Sequence, residues 1–330
     1  MTNWQVTERD RQLWNDELES FVPPKIFDSH VHLYEQSQFQ GAPPALCAEG
    51  PAVVNWSEFQ SQMNDLMPGR QIGGTCFGFP AITVDFAATN DFLAQECDHR
   101  AARAQLLISP AMDADYVREQ VLKQRFVGLK PYHLFATTKP TFAALIENFL
   151  TPAHMQVAHE LGLTITLHIV RSRALADRAN QETLERYARQ FPNARMILAH
   201  AARGFNPQHT LAGIHALRDL RNIWFDTSAV TDAGALEAII RTCGHRQLLY
   251  GSDFPVSHLR GRCVAIGDSF LWLSPANTNL AAPYADVQFT LVALESLRTL
   301  KVACYATGLS DSQVLDIFYE NSADLWNARF

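Results

Sequence analysis

Two imidazoles separated by a single valine, in the stretch IFDSHVHL at residues 26–33, are the first side chains here that could do chemistry. Side chains alternate along an extended segment, so His30 and His32 share one face while Val31 takes the other. An isolated pair of this kind fits a satisfied buried hydrogen-bonding pair as readily as a ligand set. Three later residues shift the balance, each at the end of an apolar run: His168 in LTITLHIV, His200 in RMILAHA and Asp253 in QLLYGSD. Imidazole nitrogens and a carboxylate together suit zinc, manganese or iron, and three or four protein ligands leave a position open for water or substrate.

Something must bring these distant residues to one place. Short apolar runs recur at residues 26–33, 73–79, 104–109, 126–132, 163–170, 195–201, 222–228 and 247–253, with longer helix-like segments such as NQETLERYARQF between them. Several runs are apolar almost throughout, as in a parallel strand covered on both faces by helices. Eight alternations of strand and helix predict an α/β fold, a closed (β/α)8 TIM barrel, with the five candidate residues at its C-terminal mouth. Gly162 is placed to end a helix in the left-handed conformation just before the fifth strand. Two connections are long, residues 34–57 and 254–287, after the first and eighth strands; they either cover the mouth or merely decorate it. No repeat or linker-like tract marks a boundary, so residues 1–330 read as a single domain, with 1–24 as an N-terminal extension packed on the barrel.

Composition narrows the class. With 330 residues and 47% hydrophobic content the chain can bury a large core, and a net charge of -7 argues against a nucleic-acid surface. The N-terminal stretch lacks the basic start and apolar run of a signal peptide, and no run approaches the roughly 20 apolar residues of a membrane span. The cysteines (Cys47, Cys76, Cys97, Cys243, Cys263, Cys304) are scattered without a CxxC pair, so reduced thiols and a cytoplasmic location are expected.

Basic residues gather just after the candidate ligands: Arg171 and Arg173 after His168, Arg203 after His200, and His258, Arg260 and Arg262 after Asp253. Guanidinium forks match carboxylates, so a small anionic substrate is expected, against the alternative that these arginines form surface ion pairs. Tyr132 and His133 follow the fourth strand and either face the pocket or serve as packing residues. Asp28 is a core residue or a hydrogen-bond partner for an imidazole. Glu35 could reach a metal from the first loop. His99, His154, His159, His209, His215 and His245 fall in helices or turns and read as surface or packing residues.

These segments together resemble the amidohydrolase superfamily, in particular its amidohydrolase 2 branch of hydrolases and aromatic or enol-acid decarboxylases. The resemblance runs from about residue 24 to the end, on FDSHVHL, GLKPY, LHI, LAHAARGF, LLYGSDFP and IFYENSADLW, the last carrying an Asn-x-Ala element at Asn321 and Ala323. It implies His30, His32, His168 and Asp253 as ligands of one divalent metal ion, zinc before manganese. His200 corresponds to the histidine that polarises substrate or shuttles a proton, and Asp253 serves as both ligand and base.

Lys130, in GLKPY, has three readings: a lysine carboxylated by carbon dioxide that bridges a second metal, a substrate-binding or charge-balancing group, or a structural residue. The activity implied is a metal-dependent hydrolase that uses metal-activated water on a carboxylate-bearing ester, lactone or amide. Its substrate-binding residues would be Lys130, Arg171, Arg173, Arg203, Tyr132 and His258, with His200 and Asp253 catalytic. The alternatives are a metal-dependent non-oxidative decarboxylase (a lyase), a lactone hydrolase working without metal through arginine and histidine, and a non-catalytic barrel that binds an acid or a metal. A homodimer is expected only by association with the fold.

Overall fold

The structure is a computed structural model that describes residues 4–97, 101–278 and 287–330. Eight parallel strands follow the apolar runs: β1 (Lys25–Glu35), β2 (Gln71–Gly78), β3 (Ala102–Ile108), β4 (Gly128–Pro131), β5 (Thr164–Leu167), β6 (Arg195–Leu198), β7 (Ile223–Asp226) and β8 (Leu248–Leu249). Each strand pairs in parallel with the next. The sheet then closes on itself. Ser29 N donates to Tyr250 O at 2.8 Å, Asp253 N to His30 O at 3.0 Å and His32 N to Phe254 O at 2.8 Å, while Val31 bridges Phe254 in the parallel sense. The expected (β/α)8 barrel is therefore the fold, and its closing seam runs through the residues of greatest chemical interest.

Helices Trp56–Leu66, Phe86–Glu96, Ala114–Gln124, Pro152–Leu161, Arg178–Gln190, Ala233–Cys243 and Val292–Ala306 clothe the sheet. Many begin on a short polar side chain that caps the first turn, where backbone donors lack helical partners. Asn55, Asp85, Asp113, Thr151, Asp177 and Asp232 each accept from such an N–H. Gly162 ends its helix at φ 63°, as its position predicts. At the barrel floor Trp326 stacks on Phe27 at 5.4 Å and donates Nε1–H to Thr164 Oγ1 at 3.1 Å. Asn321 Nδ2 reaches the carbonyls of His245 and Leu248, tying the C-terminal helix to β8.

The later strands stop earlier than their apolar runs predict, β7 at Asp226 and β8 at Leu249 among them. β5 ends at Leu167 and β6 at Leu198, so His168 and His200 lie just beyond the ladder, where the backbone is free to turn into the mouth. Both long connections carry structure. The first holds a helix at Ala45–Glu49 and the pair Val53–Val54, antiparallel to Tyr34 and Glu35. The second folds into a hairpin, Arg262–Ile266 against Ser269–Leu273. The N-terminal helix Glu8–Leu13 is held by Arg260, whose Nη2 lies 2.7 Å from the Asp10 carboxylate, and Trp4 packs edge-on against Phe254.

Arg262 donates to the carbonyl of Thr231. His154, His159, His209, His215 and His245 bond to Met112 O, Asn193 N, Asp268, Arg218 and Asp316 respectively, and His99 lies outside the described residues. All six cysteines are free thiols. No helix among the described residues is long and apolar enough to cross a membrane.

Candidate active site

Strand ends deliver the site. His30 and His32 come from β1, Lys130 from β4, His168 from just beyond β5, His200 from beyond β6, Asp226 from the last position of β7 and Asp253 from beyond β8. All seven are buried. A register shift between Asp28 and Val31 interrupts the β1–β2 ladder beside His30.

Hydrogen bonding fixes which ring nitrogens carry protons. His30 Nδ1 lies 2.8 Å from Asp226 Oδ2, which can only accept, so Nδ1 donates and Nε2 presents a lone pair. His32 Nδ1 lies 3.2 Å from the carbonyl of Gly78, with the same result. Both Nε2 atoms then face one carboxylate oxygen, Asp253 Oδ1, at 3.3 Å from His30 and 3.5 Å from His32. Acceptors gathered in a buried space suit a cation, and Lys130 stands beside His30 Nε2 without reaching between all three. One ligand atom from each of His30, His200 and Asp253 also falls within 4.8 Å of the others. The donor set thus fits a divalent metal ion.

Charge states agree with this reading. Burial pushes His30 down to about 3, and Lys130 acts in the same direction against Asp226 and Asp253. Burial likewise lowers His32 and His168, so the rings are neutral, as ligands must be. His168 sits 4.9 Å from the His200 ring, and its buried Nδ1 has no hydrogen-bond partner.

His200 begins a left-handed turn in which His200, Ala201, Ala202 and Arg203 all take φ between 52° and 59°. Consecutive left-handed L-residues cost roughly 1–2 kcal/mol each, so surrounding contacts must impose this turn. Among them, His200 N donates to Asp226 Oδ1 at 2.7 Å. The His200 ring is also held, with Nδ1 at 2.9 Å from both the carbonyl and the hydroxyl of Ser228. Because a carbonyl only accepts, Nδ1 donates. Asp253, at φ 62°, is left-handed as well.

Lys130 is fully buried, with Nζ 3.4 Å from His30 Nε2 and 3.9 Å from the centre of the Phe77 ring. Burial pushes its ammonium down to about 7, with Asp226 and Asp253 opposing. Tyr132 and His133 both pack against the His168 ring, at 5.4 and 5.3 Å. Arg203 lies between the rings of Phe142 and Phe270 at 5.7 and 5.1 Å, and donates to the carbonyl of Arg171. Phe205 stacks on His200 and leans on Phe270 and Trp272 of the hairpin, so the second long connection does border the site.

Other candidates are placed differently. Arg171 pairs with Asp177 at 2.8 Å and Arg173 with Asp268 at 3.5 Å, so both serve the loops in the structure. His258 packs against Phe254 and Trp4 beneath the N-terminal extension, bonded to Ser257. Arg260 and Arg262 pair with Asp10 and Glu295. Glu35 lies at the strand end opposite Val53. Asp28 bonds the backbone N–H groups of His30 and Ser252 and no imidazole; the ring-orienting carboxylate is Asp226, and Ser228 assists it. The signal for both was an aspartate and a serine in NIWFDTS, closing an otherwise apolar run.

Comparison with known proteins bears on this arrangement. A family model described as Amidohydrolase matches residues 27–328. No curated protein sequence matches the chain. Among solved structures, an amidohydrolase from Burkholderia multivorans with bound zinc is similar at 13% identity, covering 92% of this chain and 99% of that one, with a TM-score of 0.57. The 5-carboxyvanillate decarboxylase from Sphingomonas paucimobilis matches at 12% identity over 93% of this chain and 100% of its own, TM-score 0.59. A proposed 2-pyrone-4,6-dicarboxylic acid hydrolase from Pseudomonas putida matches at 14% identity over 94% and 100%, TM-score 0.56. At such identities these likenesses establish the fold. With its model spanning nearly the whole sequence and the imidazole–carboxylate cluster at the barrel mouth, the chain belongs to the amidohydrolase family.

Proposed function

We propose that this protein is a metal-dependent hydrolase acting on a small carboxylate-bearing ester, lactone or amide. The observation that carries the reading is the meeting of the His30 and His32 Nε2 lone pairs at Asp253 Oδ1, in a buried space that needs a cation. His30, His32 and Asp253 would hold one divalent ion, with His168 completing the set. Zinc is favoured by the imidazole-rich donors and by the zinc bound in the similar Burkholderia multivorans structure. When bound, such an ion polarises a carbonyl and acidifies water towards neutrality.

The remaining work falls to side chains. His200 Nε2, free because Nδ1 is committed to Ser228, accepts a proton and returns it to the leaving group. Arg203, braced by Phe142 and Phe270, binds the substrate carboxylate. Lys130 and Tyr132 bound the same space; Lys130 offsets the charge of Asp253 and contacts substrate.

A second reading, non-oxidative decarboxylation of an aromatic or enol acid, draws on the aromatic wall of Phe205, Phe270 and Trp272 beside His200. Incubation with candidate acids and lactones in isotopically labelled water separates the two. With oxygen-18 as the label, its appearance in the organic product supports hydrolysis, whereas carbon dioxide release with no oxygen-18 in the organic product rejects it. Full turnover in rigorously metal-free protein would reject the metal-dependent mechanism in either form.

A further inference from the structure

One buried group touches two of these chemical residues at once. Asp226, fully buried, has both oxygens of its carboxylate engaged: Oδ2 by His30 Nδ1 at 2.8 Å, and Oδ1 by His200 N at 2.7 Å, Ser228 N at 3.1 Å and the Ser228 hydroxyl. That hydroxyl in turn lies 2.9 Å from His200 Nδ1. We infer that Asp226, acting with Ser228, is the positioning residue of the site: it fixes the Nδ1–H form of His30 and the placement of His200, so that both Nε2 lone pairs face the pocket.

Counting donors shows why a carboxylate is needed. Each of its oxygens accepts from an N–H, so both must be acceptors. Asparagine offers one acceptor oxygen and one donor amide. In Asp226→Asn, either His30 Nδ1 or the backbone N–H groups of His200 and Ser228 must therefore meet another donor in a buried space. The left-handed turn at residues 200–203 adds to the need, because His200 N is anchored to Asp226 at the first residue of that strained segment. Partners behind metal-ligating histidines commonly change metal affinity by about 10- to 100-fold when removed.

This inference rests on the proposed metal reading, and the experiment keeps the two apart. Histidine-ring nitrogen NMR on metal-free protein reads the tautomers of His30 and His200, and chelator competition reads zinc affinity. Asp226→Asn should lose the single Nδ1–H form of His30 and weaken zinc binding by about 10- to 100-fold. Ser228→Ala, a milder change that keeps the carboxylate if Asp226→Asn does not fold, should leave zinc affinity within about twofold, broaden the His200 ring signals and lower kcat without raising KM. Wild-type tautomers in Asp226→Asn would overturn the inference, as would wild-type His200 signals and kcat in Ser228→Ala. A wild-type protein that binds no zinc would instead sink the metal reading, and the tautomer measurement would still judge Asp226.

Discussion

His258 couples the chain to pH in a simple way. Burial pushes it down to about 4, with Arg260 acting in the same direction and Asp10 against it. Between its ordinary value near 6.5 and about 4, the unfolded chain takes up a proton that the folded chain refuses. Its contribution is therefore complete above about pH 6.5 and is lost as pH falls, by about 2 kcal/mol between pH 7 and pH 5. Urea unfolding of His258→Gln should show a shallower loss of stability over that interval than wild type.

At the chemistry itself, Asp253→Ala is expected to abolish metal binding and turnover together. His200→Ala should retain metal and lose about 10²- to 10⁴-fold in kcat, as measured by metal content and steady-state rates. Arg203→Met should mainly raise KM for a carboxylate-bearing substrate, with little change for a neutral analogue. His30, His32 and Asp253 were legible because such residues stand out in apolar runs. Asp226 was not: an aspartate ending a strand looks like any loop entry, and its meaning lies in a ring 196 positions away. Arg171 and Arg173 show the converse limit, since closeness along the chain says nothing of the acids that Asp177 and Asp268 bring to them.

Elements position these residues through their ends. The run 195–201 predicts a strand up to Ala201, yet the ladder stops at Leu198 and a left-handed turn takes over. No glycine announces it, because the turn is imposed by Asp226 and the mouth and not by local preference. Ala202→Gly tests this: in a right-handed helix such a change costs about 1 kcal/mol, whereas here the left-handed φ of 59° should cancel most of that loss in a denaturation midpoint. The hairpin was legible only as a long connection. Its contacts with Phe205 and, through Asn206 Nδ2, with the carbonyls of Gly267 and Ser269 depend on tertiary docking.

For the whole molecule, the barrel itself could be read from the sequence, since eight buried parallel strands leave a coarse apolar rhythm that tolerates errors at element ends. The N-terminal segment covers Phe254 and pairs with Arg260. Deleting residues 1–18 should expose Phe254 and His258 and unpair Arg260, giving a lower melting temperature with the ligand set intact. Metal stoichiometry beside thermal unfolding checks both halves of that expectation.

The seam of the barrel has a consequence for how the protein comes into being. Asp253 N joins His30 O across the last gap in the sheet, so the act that closes the barrel also brings together donors more than two hundred residues apart. A chain still emerging from the ribosome holds its two amino-terminal imidazoles for most of its synthesis without their carboxylate. The proposed binding site is complete only when the final strand arrives, so capture of an ion by these donors would be a late event of folding.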